Sequence, residues 1–159
     1  MIKNIIKFIF FTILVFPSKS YSLIEVDITR GNLNPLPVAV SPLFSDKTSN
    51  TELKKELNLD NIGTMISLVI ENNLTKTGLF NPLDKEAFLQ KSDVAHFKPR
   101  FEDWALIKAQ ALITGKVSYE NEKLRVEFRL WDVLAAKEML ALAFTTVPNN
   151  WRRVGHIIS

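Results

Sequence analysis

"NIGTMISLVIENNLTKTGLFNPLD", residues 61–84, joins two patterns of different period. Ile62, Met65, Ile66, Val69, Ile70 and Leu74 recur at three- and four-residue steps, which places them on one face of a helix. Asp60 suits the N-cap and Gly78 the C′ position, so the spacing predicts a helix over residues 60–77. Asn73 sits awkwardly near the apolar stripe. Residues 79–84 then leave the helix as a short extended piece, and residues 85–90 read as another helical turn.

Strands flank this unit on both sides. Upstream, "PVAVSPL" (residues 37–43) is apolar without alternation, as in a strand covered on both faces, and residues 45–50 are a polar loop. Downstream, residues 100–110 follow Pro99 as a helix with Phe101, Trp104, Ala105 and Lys108 on one side. "ALITGKVSY" is a buried strand with Gly115 inside it. "LRVEFRLWDV" (124–133) alternates, with Leu124, Val126, Phe128 and Leu130 inward and Arg125, Glu127, Arg129 and Trp131 outward. "MLALAFTTV" is the next strand, and the short connections make these last three an antiparallel meander. "PNNWRRVGHIIS" begins a helix, with Asn149 or Asn150 as cap and Trp151, Val154, Ile157 and Ile158 as its apolar positions.

The start of the chain has a different character. Lys3 and Lys7 precede a nine-residue apolar run from Phe8 to Phe16, too short to span a bilayer, which takes about 20 residues. Pro17 stops it, and Ser20 and Ser22 place small residues three and one before a cut. The expectation is a secretory signal peptide over residues 1–22, cleaved near Ser22–Leu23; an uncleaved N-terminal anchor is the alternative. Of the 20 basic residues, Lys3, Lys7 and Lys19 leave with it, so 17 bases face 17 acids in the mature chain. The global electrostatic case for nucleic acid disappears. The sequence has no cysteine, so after export the fold rests on its core and not on disulfides.

Next to the cut, "LIEVDIT" (residues 23–29) alternates Ile24, Val26 and Ile28 against Glu25, Asp27 and Thr29 after Leu23. Period two gives a strand with one apolar and one acidic face. Arg30, Gly31 and Asn32 break it, and Pro35 and Pro37 stiffen the linker. Such a strand can pair with its own sheet or be offered to a partner.

Catalytic patterns are sparse. His96 reads as a loop histidine, and no second histidine stands at ligand spacing, so neither a metal site nor a cofactor is expected. Glu102 and Asp103 sit near a helix N-terminus, where the dipole favours them. Ser41, Ser67, Ser92 and Ser118 lack a nucleophile-elbow setting. Arg152 and Arg153 suit a solvated helix face, and Trp131 suits packing under a helix. The residues favour a binding or assembly role over an enzyme; a small exported hydrolase using Glu102 or Asp103 beside His96 is the alternative.

The pieces taken together resemble the TolB N-terminal domain family of the bacterial Tol–Pal system. The likeness is carried by "PVAVSPL", the helix leading into "GLFNPLD", "AQALITGKV" and "WRRVGH". It implies a three-layer α/β domain, similar to the anticodon-binding-domain-like fold. Two main helices would lie on a mixed five-stranded sheet, with strands near residues 38–42, 79–82, 112–118, 124–133 and 139–146. The implied organisation is a signal peptide (1–22), a partner-binding strand and hinge (23–34), the α/β domain (35–147) and the start of an interdomain helix (148–159). The resemblance implies a non-catalytic periplasmic scaffold for outer-membrane integrity and division. Leu23, Ile24, Glu25, Val26, Asp27, Ile28 and Thr29 would meet the periplasmic domain of TolA, with Arg30, Gly31 and Asn32 as hinge. The family's propeller, which binds the lipoprotein Pal, has no counterpart in this sequence. Pal would be a partner only with a propeller supplied elsewhere, and the membrane would be reached only through partners. The expectation is therefore a truncated form, the alternative being a non-functional fragment of a split gene.

Overall fold

The computed structural model of the protein describes residues 34–45 and 58–159. Strands β1 (Leu36–Val40) and β2 (Phe44–Ser45) precede helix α1 (Leu59–Thr77), strand β3 (Phe80–Pro82) and a 3-10 turn at Lys85–Ala87. Short helices α2 (Ser92–Phe97) and α3 (Phe101–Leu106) come next. Strands β4 (Ala111–Glu120), β5 (Lys123–Asp132) and β6 (Lys137–Thr146) follow, then a 3-10 turn at Pro148–Asn150 and helix α4 (Trp151–Ile158).

The sheet runs β3-β1-β4-β5-β6. β1 lies parallel to both β3 and β4, and β4, β5 and β6 form the antiparallel meander. The expected mixed five-stranded sheet is therefore present. A sixth strand that the sequence reading missed, the two-residue β2, pairs parallel with β4 through Phe44↔Lys116 and Ser45↔Val117.

Helices cover both faces. On one, Ile66, Ile70 and Leu74 of α1 and Val154 of α4 pack on Val38, Val40, Ile113, Val117, Leu124 and Val126. On the other, Ala95 of α2 and Trp104 of α3 cover Ala39, Leu112, Trp131 and Val133. The unbroken "VAV" of β1 follows from this, because Val38 and Val40 face one layer and Ala39 the other.

Helix α1 holds the position the pattern predicts, and Gly78 ends it at φ +71°, a left-handed conformation that costs glycine little. Its start differs from expectation. The cap is Asn58, whose side chain accepts from the Asn61 N–H at 3.3 Å. The Asp60 carboxylate instead accepts from the Ser45 hydroxyl and ties the helix to β2. The segment between β1 and β2 crosses α1 very closely: a Cβ on Gly63 would lie 2.1 Å from the Leu43 carbonyl oxygen. Ser67, one turn on, accepts the Leu43 N–H at 3.0 Å and donates to the Gly63 carbonyl at 3.1 Å.

The second helical layer was less legible. The helix expected over residues 100–110 ends at Leu106, because the sheet claims the residues beyond it. Lys108 turns at φ +62°, the Gln110 N–H donates to the Pro37 carbonyl, and the Val133 N–H donates to the Gln110 carbonyl, both at 2.9 Å. Residues 85–90 give only the 3-10 turn. Helix α2 was not anticipated, since it has six residues and no side-chain cap. Buried Gln90 holds this corner: its amide donates to the Lys98 carbonyl at 3.0 Å and accepts from the Arg100 N–H at 2.9 Å and the Trp104 indole at 3.1 Å.

Candidate functional site

Leu23, Ile24, Glu25, Val26, Asp27, Ile28 and Thr29, with Arg30, Gly31 and Asn32, lie outside the described residues, as do residues 1–22. The described chain begins at exposed Asn34 and Pro35, and the Leu36 N–H donates to the Leu79 carbonyl at 2.8 Å. The segment that precedes it therefore joins the domain at the surface, beside the C-terminal end of α1.

His96 is not the loop histidine expected. It lies in α2 with no solvent exposure, edge-on to Phe44 and Phe97, and among the described residues neither ring nitrogen has a partner. Burial, with a smaller push from the Arg129 guanidinium, drives its pKa from the ordinary 6.5 to about 4. Asp103 is held by Arg100 at 2.6 Å, an ion pair within one turn. Glu102, next to it, is exposed. Among the described residues no three histidine or carboxylate side chains converge as a metal site would require. Trp131 does not face solvent, at 7% exposure; it donates to the Thr114 hydroxyl at 3.0 Å and meets Phe101 edge-on. Arg152 lies over the Trp151 ring at 5.0 Å, which occupies it in cation–π packing.

What the described residues do present is an edge. The two ends of the sheet are unequal: β3 has three residues and contains Pro82, whereas β6 has ten and no proline. The two faces of the β5–β6 ribbon are unequal as well. One carries a charged ladder, with Glu127 3.0 Å from Arg125 and 3.5 Å from Lys116, and Arg129 3.0 Å from Glu138. Burial alone would raise the Glu127 carboxyl, but the hydrogen bond from Arg125 and the Lys116 charge outweigh it and hold it below the ordinary range. The other face carries Phe128 stacked on Phe144 at 6.1 Å, followed by Leu140 and Leu142, which are 42% and 46% exposed.

Where this apolar face reaches α4, a shallow cavity of about 200 Å³ is lined by Phe144, Thr145, Thr146, Arg153, Val154 and Ile157. That is below the usual size of a small-molecule site. Helix α4 itself is docked: Val154 is buried against the core, and Asn73 of α1 bonds its His156 ring at 2.8 Å and Ser159 at 2.7 Å. The awkward Asn73 of the sequence reading is thus an interhelix hydrogen bond. Asn150 precedes the helix without a side-chain cap bond, and Asn149 lies within the 3-10 turn, so neither caps it as expected. Among the described residues no helix is long and apolar enough to cross a membrane.

Comparison with known proteins adds three findings. The family described as TolB amino-terminal domain matches residues 24–139. The chain is 67% identical over 155 residues to the Tol-Pal system protein TolB of Pelagibacter ubique (strain HTCC1062); the match covers 98% of this chain and 35% of that protein. The chain thus spans about a third of the length of that relative. Among solved structures it resembles TolB from Acinetobacter baumannii, with TM-score 0.60 and 17% identity over 79% of this chain and 26% of that one. It also resembles lipoprotein GNA1162 from Neisseria meningitidis, with TM-score 0.52 and 14% identity over 71% of this chain and 81% of that one. At such identities these two structures speak for the fold alone.

Proposed function

The chain belongs to the TolB amino-terminal domain family, and on that premise we propose that it is a non-catalytic periplasmic component of the Tol–Pal system whose N-terminal segment binds TolA. The signal peptide over residues 1–22 is removed near Ser22–Leu23. Residues 23–29 then meet the periplasmic domain of TolA, and Arg30, Gly31 and Asn32 form the hinge. The protein acts by exchanging contacts, supporting outer-membrane integrity and constriction during division.

The observation that carries this reading is the placement of a period-two segment at an exposed point of attachment. Ile24, Val26 and Ile28 alternate with Glu25, Asp27 and Thr29. Residues 34 and 35, where that segment joins the domain, are exposed, while β1 just beyond is fixed between two neighbours. A period-two segment tethered to a sheet suits strand addition to a partner's edge. The buried, aromatic-packed His96 and the Arg100-paired Asp103 support the non-catalytic part of the reading.

The test is deletion of residues 23–34 from the chain. Calorimetric titration with the TolA periplasmic domain is expected to lose its heat of binding while circular dichroism stays that of the intact domain. Undiminished binding by the folded deletion variant would overturn the assignment.

A further inference from the structure

From β6 we infer a second interaction surface, a homodimer interface in which two copies pair edge to edge through this strand and continue the sheet from one copy into the next. Among the described residues nothing pairs with the outer side of β6, so no described residue satisfies its outward N–H and C=O groups as a neighbouring strand would. Proteins ordinarily protect such edges with charge, proline or shortness. β6 has ten residues, no proline, and charge only at its first two positions, Lys137 and Glu138. Its bulge also lies at that end, where Met139 has no opposite residue on β5. Leu140 through Thr146 is regular and uncharged.

The strand is complementary to itself, which selects a second copy over another partner. In an antiparallel pair about a two-fold axis normal to the sheet, facing residues share one face, so the axis must pass through a residue. An axis at Leu142 sets Leu142 against its own counterpart and Leu140 against Phe144 of the second copy. The apolar row of exposed Leu140 and Leu142 and half-buried Phe144 is then matched along its whole length. Beyond Leu140 the bulge turns Glu138 to the charged face, where it meets Arg129, so the charged end of each strand lies outside the matched row and no like charges meet. An axis at Ala141 would carry Phe144 past Leu140 onto the bulged end of the partner strand, and one at Ala143 would set Leu140 against Thr146. The charged ladders of the two copies stay solvated on the opposite face, where Glu127 and Arg129 already have partners within their own chain. Strand addition of this length is a small interface, so association belongs in the micromolar range.

The experiment is sedimentation of the chain purified after export, across a concentration series from about 1 to 500 μM chosen to bracket micromolar association. A reversible monomer–dimer equilibrium is expected. Leu142→Lys and Leu142→Glu each place like charges across the axis and should weaken it at least about tenfold. An equimolar mixture of the two variants should recover the dimer. Because the protein has no cysteine, Leu142→Cys gives an independent reading. Facing strands bring the two Cα atoms within disulfide reach, so mild oxidation should cross-link it, while Cys at exposed Leu106 should stay monomeric. A wild-type chain that remains monomeric throughout the series would overturn the inference and leave the edge to an extended segment of a different protein. So would a dimer insensitive to both charges, or no cross-link at position 142.

Discussion

β1 and β6 are written in nearly the same letters and meet opposite fates. "VAV" at residues 38–40 is completely buried between two helical layers, whereas "LALA" at residues 140–143 is exposed. Both sequences specify extended backbone, since neither has helical spacing and both are bounded by breakers. What separates them is the number of layers that reach them. α1 and α4 cover one face of β1, β4 and part of β5, and α2 and α3 cover the other face only near β1, β4 and the end of β5. Apolar composition shows that a strand wants cover; it does not say whether the same chain supplies it.

If the centre of the sheet is fixed by close packing and the edge is not, substitutions should sort steeply between them. The largest effect is expected from Gly63→Ala, which drives a methyl group into the Leu43 carbonyl, a backbone atom that cannot step aside. A loss of more than about 3 kcal/mol is expected in chemical denaturation. A loss below about 1 kcal/mol would mean that the β1–β2 crossing is looser than described. Ile70→Ala, in the same core, should cost about 3 kcal/mol.

Gln90→Leu probes the second layer. It removes the shared acceptor of the Arg100 N–H and the Trp104 indole and should cost about 2 kcal/mol by leaving buried donors unpaired. An unchanged denaturation midpoint would count against the clasp.

His96 sharpens the comparison through pH. Its folded pKa of about 4 lies below the ordinary 6.5, so between these values the unfolded chain binds the proton and the folded chain does not. The stability associated with the neutral ring is present above about pH 6.5 and is lost as pH falls toward 4, at up to about 1.4 kcal/mol per pH unit. Arg129 and Lys116 act in the same direction as burial, and Glu127 opposes them. His96→Phe should flatten that part of the stability profile. An unchanged slope would place the titration elsewhere. At the edge, Leu142→Thr should shift the stability of the monomer by less than about 0.5 kcal/mol, since the side chain is already nearly half exposed.

Legibility followed the length of the pattern. The α1 stripe, the Gly78 stop, the three-strand meander and the α/β class were readable because each repeats over many residues or carries its own stop signal. β2, α2 and the early end of α3 were not, because they are set by distant partners. Ser45 is held by Asp60, His96 by Phe44 and Phe97, and Gln110 by Pro37 and Val133. Trp131 followed the alternation outward and, as its packing role under a helix predicts, met α3 there. The period-two segment at residues 23–29 is legible in the sequence as an alternation, and it lies outside the described residues. The open face of β6 was visible only as "MLALAF", whose lack of polar residues needed the sheet order before it meant an edge.

On these proposals the protein divides into an N-terminal segment that recognises TolA and a sheet edge that recognises a second copy. An NMR titration of the labelled chain with the TolA periplasmic domain tests that division most directly. Saturable shifts concentrated in residues 23–34, with β6 amides unmoved, are the predicted result. Shifts centred on β6 or α4, with residues 23–34 unaffected, would contradict it.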